Sequence, residues 1–107
     1  MRRGTTPDYL LTVAGYDLTE CTVYVTLKQG AQLITFTGDR LSVSWDSDAN
    51  TSSVTFGLTQ EETLGLKQGN AEIQIRFINA EGEALATQIR AIPVLPVLFE
   101  EVIEYDP

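Results

Sequence analysis

The chain contains no histidine. That removes the usual general base near neutral pH, the Ser–His and Cys–His pairs of nucleophilic catalysis, and the commonest zinc ligand. It has one cysteine, Cys21, so no disulfide can form within the chain. Cys21 falls in an apolar-alternating stretch with no basic neighbour in sequence to make it a thiolate, which reads as a small buried hydrophobe. Basic residues are few: 7 Lys and Arg stand against 15 Asp and Glu, a formal net charge of −8. An acidic average repels nucleic-acid backbones and anionic membranes, and dispersed bases make no basic stripe with exposed aromatics. Neither nucleic acid nor a membrane is expected as a partner.

Other absences narrow the field further. No run approaches the ~20 apolar residues of a membrane-crossing helix. Met1-Arg2-Arg3 is followed by Gly4-Thr5-Thr6-Pro7-Asp8, without the apolar core of a secretory or twin-arginine signal, so folding in a reducing cytoplasm is expected. Neither G-x-G-x-x-G nor G-x-x-x-x-G-K-[ST] occurs, and no cofactor is expected. Asp46-Ser47-Asp48-Ala49-Asn50 imitates the start of a calcium loop, but Thr51 stands where Gly is needed and Gly57 where a bidentate Glu is needed. A polar hairpin loop is the better reading. Glu61-Glu62 and Glu100-Glu101 are adjacent pairs that do not point into one cleft, so glycoside hydrolysis finds no support. No reaction is expected.

What is present is alternation. The 107 residues suit one domain, residues 1–107, large enough for an apolar core without metal or disulfide. Tyr9, Leu11 and Val13 alternate with polar or small positions as a first strand, and Gly15-Tyr16-Asp17 turns it. Cys21, Val23, Val25 and Leu27 form the clearest strand, and Gln29-Gly30 makes a tight turn. A third strand over residues 31–36 has an ambiguous facing, because Leu33 and Ile34 fall on opposite sides. Gly38-Asp39 suits a two-residue hairpin. Leu41, Val43 and Trp45 then face inward, followed by the loop over residues 46–51 and a strand carrying Val54, Phe56 and Leu58.

Residues 59–94 form the block around which the chain is organised. Thr59-Gln60-Glu61-Glu62 fits a capping box, and acids suit a first helical turn. Leu58 faces Thr63, so the hydrophobic staple is missing; Leu64 and Leu66 still give the turn something to bury, and Gly69 supplies a stop. Ala71, Ile73, Ile75 and Phe77 alternate with Glu72, Gln74 and Arg76. Asn79-Ala80-Glu81-Gly82 is turn chemistry. Leu85, Thr87, Ile89 and Ala91 return, with Pro93 closing the run. Arg76 and Arg90 are expected to share a surface with Glu72 or Gln88, as a cross-strand charge pair.

The expectation is an all-β chain: an immunoglobulin-like antiparallel β-sandwich of about seven strands with one short helical turn near residues 59–66. A small barrel is the alternative. The antibody-type Cys pair is absent.

The stretch over residues 94–107 is too apolar for a free terminus. On a helix, Leu95, Leu98, Phe99 and Val102 would share a face, away from Glu100, Glu101 and Glu104; Pro93 and Pro96 forbid a regular central strand. Leu95, Leu98, Phe99, Val102, Ile103 and Tyr105 are the candidate interface residues, packed either on their own domain or on another copy or protein. Arg2 and Arg3 make one end basic, and Glu100, Glu101, Glu104 and Asp106 make the other acidic. They read as solvated tails or as complementary contacts between neighbouring copies.

The segment Asp17-Leu18-Thr19-Glu20-Cys21-Thr22-Val23-Tyr24-Val25-Thr26-Leu27-Lys28-Gln29-Gly30 resembles the second-strand region of small phage and prophage proteins of Gram-positive bacteria. The opening Arg2-Arg3-Gly4-Thr5-Thr6-Pro7, the cap Leu58-Thr59-Gln60-Glu61-Glu62-Thr63-Leu64, Gly69, the strand Glu72-Ile73-Gln74-Ile75-Arg76, the turn Ala80-Glu81-Gly82 and Ala86-Thr87 are similar to segments of the same proteins. The chain also resembles a named domain, the N-terminal immunoglobulin-like domain of phage upper-baseplate proteins, which continue into receptor-binding extensions beyond it. The resemblance implies a virion-associated tail or baseplate protein, found in the virion or in the host bacterial cytoplasm during assembly. Its implied partners are other phage structural proteins or itself, in a homo-oligomer, with no cofactor. The alternative is a module whose loops over residues 46–51 and 79–82 bind a carbohydrate or a host protein, with Trp45 as a stacking platform.

Overall fold

The computed structural model describes residues 1–105. Eight strands form two antiparallel sheets around one apolar core. The strands are β1 (Asp8–Ala14), β2 (Thr22–Gln29), β3 (Gln32–Thr37), β4 (Ser42–Asp46), β5 (Thr51–Gly57), β6 (Gly69–Ile78), β7 (Ala84–Ala86) and β8 (Arg90–Val94). One sheet has the order β1-β5-β4; the other has β3-β2-β6, with both β7 and β8 on the far side of β6. In immunoglobulin terms, β1, β5 and β4 take positions B, E and D, while β3, β2 and β6 take C′, C and F. β7 and β8 together take G. Among the described residues, no strand occupies position A.

Alternation builds the core as expected. Val23, Val25 and Leu27 of β2, Val54 and Phe56 of β5, and Ala71, Ile73, Ile75 and Phe77 of β6 are buried. Burying each Val, Leu, Ile or Phe side chain of this set contributes roughly 1.5–3 kcal/mol. Phe36 is the hinge between the layers: its ring centroid lies 4.8 Å from that of Phe56, and the Arg40 guanidinium sits 4.6 Å above it. Of the ambiguous pair on β3, Ile34 faces inward and Leu33 outward.

Four local expectations need correction. Gly38-Asp39 is not a hairpin. A 3-10 turn, Gly38–Arg40, carries the chain from one sheet to the other, so that Phe36 and Leu41 both point inward from opposite layers. Gly69 does not stop the helix. The helix α1 (Gln60–Leu64) ends at Gly65, whose N–H donates to the Glu61 and Thr63 carbonyls, and Gly69 instead opens β6 at φ +133°. The return strand is broken. Phe77 faces Leu85, but Ile73 faces Arg90, one residue out of step, and the bulge over residues 87–89 flips the inward parity to Ile92 and Val94. Pro93 therefore lies inside the edge strand β8 opposite Asn70, where a missing N–H is tolerated.

The fourth correction concerns charge. The described ion pairs are Arg3–Glu100 and Arg40–Glu62; neither Arg76 nor Arg90 is paired with a carboxylate among the described residues. Arg76 faces Ala86 across the ladder and Arg90 faces Ile73.

Among the described residues, no helix is long and apolar enough to cross a membrane.

Candidate assembly interface

The capping box forms as its sequence demands. The Thr59 hydroxyl accepts from the Glu62 N–H at 3.1 Å, and the Glu62 carboxylate accepts from the Thr59 N–H at 2.9 Å. Glu62 is also gripped by both Arg40 guanidinium nitrogens, at 2.8 and 3.0 Å. That hydrogen bond, more than any other influence, holds the Glu62 carboxyl below its ordinary range and raises Arg40. Thr63, in the staple position, donates to the Thr5 carbonyl at 2.9 Å and so fastens α1 to the N-terminal segment.

On that platform lies the C-terminal arm. Val94 belongs to β8 and is buried, so the arm begins at Leu95. Met1, Arg2 and Arg3 receive it. The Leu95 N–H donates to the Met1 carbonyl at 2.7 Å, and the Arg3 N–H donates to the Leu95 carbonyl at 3.0 Å, making one parallel bridge. The Met1 ammonium donates to the Pro93 carbonyl at 2.8 Å, and the Arg2 guanidinium donates to that of Pro96 at 2.7 Å. Gly4, at φ +76°, lets the N-terminal segment pass close beneath; a Cβ there would come within 3.4 Å of the Leu64 side chain and 3.8 Å of Val97.

Arg3 is the pin. One guanidinium nitrogen donates to the Leu64 carbonyl at the C-terminal end of α1, 2.9 Å away, and another pairs with Glu100. Its buried Nε finds no partner among the described residues. The basic and acidic ends, read from sequence as solvated tails or as contacts between copies, thus meet within one chain. Further along, the Gln60 side chain holds the main chain of Ile103. Asp106, the last acid of the tail, falls outside the described residues.

The arm adopts no helix, so the expected shared face of Leu95, Leu98, Phe99 and Val102 does not form. The reason is partly local and partly long-range. Pro96 interrupts the start, and polar contacts with Arg2, Arg3 and Gln60 hold the chain in an irregular path. Only Val97 is half-buried. Leu95, Leu98, Phe99, Val102, Ile103 and Tyr105 are all exposed, Leu98 completely so. All six candidate residues are therefore brought together on one arm with their apolar side chains turned to solvent. What sequence reading missed is the seat: Arg3, Gln60 and Gly4 carry no pattern that announces it, since each acts across more than forty intervening residues.

The other flagged residues stay structural. Asp46 accepts from the N–H groups of Asp48 and Ala49, at 3.0 and 3.3 Å, and so spends its carboxylate on the hairpin turn. Among the described residues, no group of three or more acidic or cysteine side chains could hold a metal ion. Trp45 is half-buried on the edge strand β4. Cys21 is half-buried rather than buried; partial burial, then the Asp17, Glu20 and Glu81 carboxylates, push its thiol pKa up.

No protein-family model matches the chain, and no curated protein matches it.

Proposed function

We propose that the chain is a virion-associated structural protein of a phage or prophage, of the tail or baseplate type, working through protein–protein assembly. One observation carries this reading: an arm with six exposed large apolar side chains, from Leu95 to Tyr105, held on the surface of a sandwich by polar contacts and by Val97, its one half-buried side chain. Water penalises such a surface, and contiguous exposed apolar area on an otherwise ordinary domain marks a protein contact. The sequence resemblance to small phage proteins and the immunoglobulin-like strand order lend support. The partners are other phage structural proteins or further copies of the chain. The net charge of −8 weighs against nucleic acid and anionic membranes. Its place is the virion, or the host cytoplasm during assembly.

The test is mass spectrometry of particles purified after prophage induction. This chain should be present at a copy number that is a small multiple of the tail symmetry. Its absence from particles and from their assembly intermediates overturns the reading.

A further inference from the structure

The three-stranded sheet has an open edge. β1 pairs with β5 on one side and with nothing described on the other. The ladder identifies the unpaired groups. The Leu58 N–H donates to the Pro7 carbonyl and the Gly15 N–H to the Asn50 carbonyl, so the odd-numbered residues of β1 spend their backbone groups on β5. Asp8, Leu10, Thr12 and Ala14 therefore direct their N–H and C=O groups to the open side.

That side is also where the sandwich gapes. A cavity of about 260 Å3 lies between β1 and the opposite sheet, with Leu11, Val13, Ile73, Ile75, Thr87 and Arg90 on its wall. Thr87, on that wall, accepts from the Ile75 N–H with its hydroxyl at 3.1 Å and from the Gln74 side-chain amide with its carbonyl at 2.9 Å, and Ile89 beyond it is exposed. Met1–Arg3 close the seam only at the Leu95 end. The empty position is that of strand A.

We infer that this edge accepts the arm of a second copy, with Val97–Tyr105 adding as a strand beside β1. The inference rests on the assembly reading above and deepens it by naming the arm's acceptor. Three features fit. The backbone of residues 97–102 makes no described backbone hydrogen bond, so it is available to a ladder. Extended, the arm places Val97, Phe99, Ile103 and Tyr105 on one face, matching an apolar inter-sheet groove. Glu101 shares that face, and Arg90, which has no described carboxylate partner, stands on the groove's rim. Nine residues of arm span ~30 Å and the seven of β1 span ~23 Å, so the arm covers the whole edge. Docking releases the Arg3–Glu100 and Gln60–Ile103 contacts, which are exposed. Main-chain pairing supplies affinity and alternate side chains supply specificity. The contact joins an arm to another copy's edge, so it closes as a reciprocal exchange or a ring, or runs on as a filament.

Two variants separate donor from acceptor. Thr12→Pro removes an N–H that faces the open side and leaves the β5 ladder intact. Phe99→Asp with Ile103→Asp spoils the arm. Sedimentation velocity under reducing conditions should show the natural chain associating and each variant alone monomeric. An equimolar mixture should give a one-to-one dimer, because one functional arm and one functional edge remain. Leu10→Glu, on an exposed side chain of the same edge, should behave as Thr12→Pro does, and unchanged thermal midpoints establish that the variants fold. If the arm variant is monomeric but both edge variants associate normally, the arm docks elsewhere: this inference fails while the assembly reading stands. If the edge variants are monomeric but the arm variant still associates, edges pair with each other, and the inference fails again. A natural chain that stays monomeric at all concentrations also overturns it, and particle composition then judges the assembly reading separately.

Discussion

Gln60 holds the main chain of Ile103 from both sides. Its side-chain amide donates to the Ile103 carbonyl at 3.1 Å and accepts from the Ile103 N–H at 2.8 Å. One side chain on a five-residue helix thereby mimics a strand partner for the arm, 43 residues away in sequence.

Replacing Gln60 with Ala should free the distal arm. Hydrogen exchange at the Ile103 amide should accelerate at least tenfold, while exchange on β2 and β6 stays unchanged. The cost to global stability should be under about 1 kcal/mol, since both hydrogen bonds are exposed. Equal protection at Ile103 in the variant would show that the arm is held by other contacts.

Glu62 gives the fold a mild acid sensitivity. Its folded pKa is depressed below its ordinary 4.5, chiefly by the Arg40 hydrogen bond. A depressed carboxylate contributes stability that is fully present above the unfolded pKa and lost as pH falls through the folded pKa. Denaturation free energy should therefore fall as pH drops below 4.5. Glu62→Gln should flatten that part of the profile and cost about 0.5–1 kcal/mol at pH 7, a figure held down by the half-exposed Arg40. An unaltered profile in the variant would assign the acid sensitivity to other carboxylates.

Ser52 is a polar residue inside the core. Its hydroxyl accepts from the Leu18 N–H at 2.8 Å and donates to the Tyr16 carbonyl at 2.7 Å, tying the 3-10 turn Leu18–Glu20 to β5. Ser52→Ala leaves the Leu18 N–H without that acceptor and should destabilise by about 1–3 kcal/mol in urea unfolding, with an unchanged m value. A loss below about 0.5 kcal/mol would mean the turn re-forms around the gap.

Much of the body was legible because its causes are local. Alternation on β2, β5 and β6 follows from the two-residue period of an extended chain, and the Thr59–Glu62 box from two amides that need acceptors. Each can be decided within about ten residues. The expected list of inward residues held for Val23, Val25, Leu27, Val54, Phe56, Leu58 and the β6 set. The 3-10 turn Leu18–Glu20 has no such signature, since Asp17 capping the Thr19 N–H looks like any short acidic segment in the sequence.

What only the tertiary structure decided is how distant segments meet. Gly38-Asp39 has hairpin chemistry, yet Phe36 and Leu41 must fill the same core from opposite layers, so the chain crosses between sheets there. The Leu85–Ala91 alternation is sound on each side of Thr87, but pairing with β6 requires an extra residue, and no neighbour in sequence records that demand. The arm's apolar content was plain from composition. Its irregular path was not, because Arg3, Gly4 and Gln60 act on it through contacts that exist only once residues 1–6 and α1 have been brought to one corner of the sandwich. Local periodicity sets which face of each strand turns inward; long-range packing sets which strand it turns toward.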